Sequence, residues 1–152
     1  MKTLQQWFDE YAMSHQNHTN KIIHYFCVPL IYFSIVGLLM SIPLGIPVYF
    51  PHQPLVLNWA TVLLVFVSWF YLRLSFAVAW RMFLFSLTCM LINYVMALYV
   101  SLWIISLLIF AAAWVGQFYG HQIEGKKPSF LKDLQFLLIG PAWVMSHWFE
   151  KK

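Results

Sequence analysis

Charge is what this chain has least of. Asp, Glu, Lys and Arg make up 9% of its 152 residues, against about 25% in soluble globular domains. So few charged side chains cannot cover a water-facing surface, which excludes a soluble globular fold. Cysteine is scarce too: Cys27 and Cys89 both stand inside apolar runs, where free cysteine behaves as a small hydrophobe. Their separation offers neither a zinc motif nor a disulfide framework. Glycine and proline are absent from Leu55 to Val115, so that stretch lacks the usual breakers. There is no phosphate-binding loop, no Gly-x-Ser-x-Gly elbow and no dinucleotide fingerprint. No secretory signal is expected either. The first twenty residues include Lys2, Asp9 and Glu10, and the first apolar run begins only at Ile22.

What is present is apolar: 62% hydrophobic and 20% aromatic residues, with mean hydropathy +0.71. The expected fold is all-α, a single integral membrane helix bundle over residues 1–152. Leu4, Trp7, Phe8 and Tyr11 recur at helical spacing with Gln5, Gln6, Asp9 and Glu10 between them, predicting a short amphipathic helix over Thr3–Ser14 at the membrane interface. Spanning a bilayer takes about 20 apolar residues. Four spans are predicted, at about 21–42, 56–72, 81–99 and 102–120, with breaks at the proline-rich 43–55 segment, at Arg73 and Arg81, and at Tyr99–Ser101. A last apolar segment, about 131–149, is interrupted by Gly140-Pro141. It forms either a fifth span or a helical hairpin that returns to its own side, the latter keeping Glu150, Lys151 and Lys152 off the outer face.

The basic residues orient the bundle. Lys2 and Lys21 near the start, Arg73 and Arg81, and Lys126, Lys127 and Lys132 mark three basic segments, whereas 43–55 and the turn near residue 100 have none. Basic segments face the cytoplasm. Crossing four times then brings His15, His18, His24, His121 and Glu124 to that one side. The net charge of +4 reads as headgroup and cytoplasmic-loop bias, with membrane lipid as the partner and no nucleic acid.

Those five residues are the candidates for chemistry. His15 and His18 are three apart, as are His121 and Glu124, and residues at that spacing share a helical face. Inward-facing carboxylate–histidine pairs are how helix bundles build metal sites. Neutral imidazoles with a carboxylate suit Fe(II) or Zn(II), and a set with open positions favours non-haem iron and oxygen chemistry. The plain alternative is that interfacial histidines bond headgroups and water. His52 reads as a loop residue, and His147 joins the site only if the last segment turns back. Gln117, Tyr119 and Asn93 read as supporting donors or as hydrogen bonds within the bundle.

Two stretches carry a resemblance. Tyr11-Ala-Met-Ser-His15-Gln-Asn-His-Thr-Asn20-Lys-Ile-Ile-His24-Tyr-Phe-Cys-Val-Pro29, and Gly120-His121-Gln-Ile-Glu124-Gly-Lys-Lys-Pro128 followed by Gly140-Pro141, resemble the small membrane 2-hydroxy fatty acid dioxygenases of phytosphingosine breakdown in fungi, a family with many bacterial members. The resemblance covers nearly the whole chain in order and spacing. It implies an Fe2+-dependent enzyme that uses O2 to shorten a long-chain 2-hydroxy fatty acid by one carbon, a step of fatty acid α-oxidation. It also implies His15, His24 and His121 as metal ligands, with Glu124 and Asn20 at polar motif positions, Glu124 either ligating or orienting a histidine. The family pattern does not require histidine at His18, which stays as an additional candidate ligand.

Other readings stand beside this one. A zinc-dependent lipid hydrolase keeps the metal and changes the reaction. A two-iron hydroxylase or desaturase needs more histidines than these. A non-catalytic scaffold or transporter needs no metal, but a transporter calls for ionisable groups at mid-span and an internal repeat, and neither is present. Both a single chain and a homo-oligomer fit the composition, and both a bacterial inner membrane and the endoplasmic reticulum fit the absence of an organelle signal.

Overall fold

The structure, a computed structural model, describes residues 2–13, 15–44, 57–125 and 130–149. His52, the prolines between 45 and 56, Lys126, Lys127 and the residues after 149 lie outside the described residues. Six α-helices and no strands occur among the described residues: α1 Leu4–Met13, α2 His18–Met40, α3 Trp59–Leu72, α4 Phe76–Ala97, α5 Leu102–Glu124 and α6 Phe130–Phe149.

Local chemistry sets their ends. Thr3 and Gln6 form a reciprocal box at the start of α1, the Thr3 N–H donating to Gln6 Oε1 (2.9 Å) and the Gln6 N–H to Thr3 Oγ1 (3.3 Å). Asn17 caps α2, its Oδ1 accepting from the Thr19 and Asn20 N–H groups, and Asn58 caps α3 by accepting from Thr61 N–H at 3.1 Å. Gly125, with φ +69°, follows α5 in the left-handed conformation that often closes a helix.

The chain divides into two compact units, Met1–Tyr32 with Ala111–Lys152, and Phe33–Phe110. In the first, the apolar face of α1 packs on α6. Tyr11 is buried, with its ring 5.4 Å from Phe136 and 5.1 Å from Trp143, and Trp7 meets Phe136 edge-on. A helix thus covers the stretch in which the sequence predicts one, and its apolar face is taken up at least in part by protein. The second unit packs α3 on α4 around Leu64, Val67, Tyr71, Met82 and Cys89. Asn93 is buried there, its Nδ2–H groups donating to Phe33 O (3.1 Å) and Cys89 O (2.9 Å). Gly37 makes the close approach possible, since a Cβ there would collide with Ser106 Oγ and Asn93 Oδ1. Cys27 and Cys89 are both free.

Three helices, α2, α4 and α5, are long and apolar enough to cross a membrane, whereas α3 has 14 residues. Val65 and Phe66 of α3, Phe76 and Leu91 of α4, and Leu108 and Val115 of α5 are exposed. Apolar surface on this scale calls for lipid or another apolar partner, so the structure supports membrane association.

Two sequence expectations are corrected. Arg81 is no break: α3 ends at Leu72 with Arg73 as its C-cap, α4 begins at Phe76, and Arg81 sits inside α4. The turn is shorter than the charge pattern implied because Ser75, extended at φ −165°, starts the next helix without help from an arginine. Nor do Gly140 and Pro141 interrupt the last segment, which runs as one helix, α6, so of the two expected forms, a fifth span or a hairpin, the hairpin is absent. A proline removes one backbone hydrogen bond and crowds the preceding turn. Here Pro141 is buried, and Gly140 lies so close to Tyr11 and Val28 that a Cβ would meet Tyr11 Oη and Val28 Cγ1 at 3.2 Å. Packing on α1 and α2 offsets the lost bond.

Candidate metal centre

Three imidazoles meet inside the first unit. His15 lies between α1 and α2, His24 lies in the second turn of α2, and His121 lies in the last turn of α5. They are 2%, 1% and 4% exposed. Each offers one ligand nitrogen, and these atoms all lie within 4.8 Å of one another. The ring centroids are 4.3 Å apart for His15 and His24, 5.0 Å for His24 and His121, and 5.6 Å for His15 and His121.

Hydrogen bonding fixes which nitrogens face inward. His15 Nδ1 is 2.7 Å from Tyr11 O and His24 Nδ1 is 3.0 Å from Asn20 O. A carbonyl only accepts, so both Nδ1 atoms carry the proton, and in the neutral rings each Nε2 holds a lone pair. His24 Nε2 is buried without a hydrogen-bond partner, a costly state for a polar atom. A histidine bonded to a backbone carbonyl through one nitrogen and open at the other is the usual arrangement of a metal ligand. Three neutral imidazoles fit a divalent ion such as Fe(II) or Zn(II), with coordination positions left over.

Glu124 and Asn20 frame this set. Glu124 Oε1 accepts from Gln16 N–H at 2.8 Å, and Oε2 accepts from Asn17 N–H and Asn20 Nδ2–H, each at 2.9 Å. The carboxylate thereby ties the end of α5 to the segment that carries His15 and favours the N-terminus of α2 electrostatically. Asn20 is fully buried and acts twice, bonding Glu124 through its side chain and His24 through its carbonyl. Gly120 permits the contact, because a Cβ there would collide with Asn20 Oδ1 and lie 3.4 Å from His24 Cε1.

Aromatic rings close one side. Tyr11 stacks on His15 at 4.2 Å, and Trp143 of α6 lies 6.3 Å from His15. Beside the histidines lies a cavity of about 20 Å³ lined by Tyr11, His15, His24, Val28, Ile31, Trp114, Gln117 and Phe136.

Of the residues singled out in the sequence, the structure gathers His15, His24 and His121 and sets Asn20 and Glu124 behind them. It does not bring in His18, which is exposed at the first position of α2. His147 is exposed and packs against Trp143, 4.1 Å between centroids, rather than joining the three. Tyr119 points away, 60% exposed. Gly120 was read in the sequence only as part of the Gly-His motif, and its pairing with Gly116 was missed, although Gly-x-x-x-Gly is the close-packing signature of membrane helices. A Cβ at Gly116 would lie 2.7 Å from Cys27 Sγ, so the pair sets the approach of α5 to α2.

Fold and site together define a helical protein with membrane-length apolar helices and a buried three-histidine set suited to a divalent metal. Over residues 1–152 the chain matches the family model Mpo1-like, described as 2-hydroxy-palmitic acid dioxygenase Mpo1-like, and it belongs to that family. No curated protein and no solved structure matches it.

Proposed function

We propose that this chain is an Fe(II)-dependent dioxygenase that shortens long-chain 2-hydroxy fatty acids by one carbon at the cytoplasmic face of the membrane. The observation that carries the reading is the convergence of His15, His24 and His121, three buried histidines whose ligand atoms lie within 4.8 Å of one another, in a member of the Mpo1-like family. The overall reaction balances without an external reductant: RCH(OH)COOH + O2 gives RCOOH + CO2 + H2O. The C1–C2 bond breaks, C1 leaves as CO2 and C2 becomes the new carboxyl carbon. The four electrons lost by these two carbons are the four that O2 accepts.

Iron held by His15, His24 and His121 would supply Lewis acidity toward the hydroxy acid and redox access to O2. The rest falls to the chain. The carbonyls of Tyr11 and Asn20 keep two imidazoles in the tautomer that offers Nε2. Tyr11, Phe136 and Trp143 exclude water on one side. Val28 and Ile31 continue the inner face of α2 beyond His24, both buried, and form apolar walls of the small cavity beside the histidines. Glu124 serves here as an orienting group and not as a ligand, since both its oxygens accept from Gln16, Asn17 and Asn20. With Glu124 so engaged, the gathered donors suit one ion better than two.

Protein purified anaerobically in detergent tests this. We expect about one iron per chain, lost in His121→Ala, and oxygen uptake on adding 2-hydroxypalmitate to the wild type only. Zinc in the same site without oxygen consumption would move the chemistry toward hydrolysis. Folded protein that binds neither metal would end the dioxygenase reading.

A further inference from the structure

Gln117 is polar, 6% exposed and one helical turn before His121 on α5. Its amide has two donors and an acceptor, and none of the described residues hydrogen-bonds to it. Set in a largely buried residue that lines a cavity, such an amide is free to bond a ligand or a water there. The residue lines the same small cavity as His15 and His24, and the other walls are largely apolar, from Val28, Ile31, Trp114 and Phe136. At about 20 Å³ the space suits a water or the small polar end of a larger molecule, not an acyl chain.

We infer that Gln117 reads the polar head of the substrate, its Nε2–H donating to the carboxylate and its Oε1 accepting from the 2-hydroxyl. This rests on the proposed reaction and adds to it the group that tells a 2-hydroxy acid from a plain fatty acid. A 2-hydroxy acid presents an acceptor and a donor on adjacent carbons, the complement of one primary amide. A fatty acid lacking the hydroxyl leaves Oε1 buried and unpartnered, and buried polar groups left so discriminate strongly between ligands.

The test is anaerobic binding of 2-hydroxypalmitate and palmitate to the metal-loaded, full-length protein in detergent, where no turnover occurs, with metal content measured alongside. Gln117→Met keeps the approximate side-chain shape. It should keep its metal, while its preference for 2-hydroxypalmitate over palmitate falls by roughly tenfold or more, the worth of one hydrogen bond in a buried site. Gln117→Glu, nearly isosteric, places a carboxylate against a carboxylate. It should weaken both acids and spare the uncharged 2-hydroxypalmitamide. An unchanged preference in metal-replete Gln117→Met, or an equal loss for both acids, would overturn the assignment of Gln117 and leave the dioxygenase reading standing. Wild-type protein that holds no metal and shows no preference for the hydroxy acid would instead remove the reading beneath it.

Discussion

At the scale of single residues the centre depends on a short chain of hydrogen bonds. Glu124 holds Asn20, and Asn20 holds His24. Asn20 and His24 are both almost fully buried, so neither bond is readily replaced by water. Glu124→Gln removes one charged acceptor and turns an amide N–H group toward other donors. We expect the three histidines to remain and metal affinity to fall roughly ten- to hundredfold, as when groups supporting a metal ligand are lost. A competition titration with a chelator reads this directly, and unchanged affinity would show that Glu124 does not position the ligands. His15, His24, His121 and Glu124 stood out in the sequence because polar groups are rare beside apolar runs and their spacing is regular, whereas Asn20 entered only through the family resemblance. The exclusion of His18 was not legible. Spacing puts His15 and His18 on one face only if a helix carries both, and the chain leaves α1 after Met13 and begins α2 at His18.

At the scale of elements, close helix approach brings His24 and His121 together. Gly116 and Gly120 present bare backbone to Cys27, Asn20 and His24. Gly120→Ala forces α5 away from α2, and overpacking of this kind costs about 1–3 kcal/mol. We expect a lower melting temperature in detergent together with loss of metal. Gly125→Ala is the control: its Cβ would meet nothing within 4 Å, but φ is +69°, so it should cost about 1 kcal/mol in stability with metal content intact. If both variants lose stability and both keep metal, helix approach does not set the site. The positions of α2 and α5 could be read from length and hydropathy, since the sequence signal for a long apolar helix is strong, whereas the start of α4 at Phe76 was hidden by Arg81. What could not be read was α6 running unbroken through Gly140-Pro141. A breaker signal is local, whereas the contacts of Gly140 with Tyr11 and Val28 join residues far apart in the chain.

At the scale of the whole molecule, the site constrains topology. His15 precedes α2 and His121 ends α5, yet they share one cluster, so an even number of crossings has to separate them. Three helices between these points are long enough to cross, and α3, with 14 residues, is shorter. At 1.5 Å per residue α3 spans about 21 Å, less than the roughly 30 Å of a hydrocarbon core. We expect α3 to complete a fourth crossing all the same, with Arg73 at its end, stacked 3.9 Å over Trp69, reaching up to headgroups. This is measurable with single cysteines at Thr19, Ser75, Tyr99 and Gln122 in a background where Cys27 and Cys89 are alanine. In sealed vesicles of one orientation, an impermeant maleimide should label Thr19→Cys, Ser75→Cys and Gln122→Cys from the same side and Tyr99→Cys from the other. Ser75 reacting from the side opposite Thr19 would mean that α3 does not cross, and an even count would then have to come from elsewhere. From the basic residues near the start and at Arg73 we expect the shared side to be the cytoplasmic one, the face at which, in the proposed reaction, the acid head of a membrane-held substrate would meet the histidines.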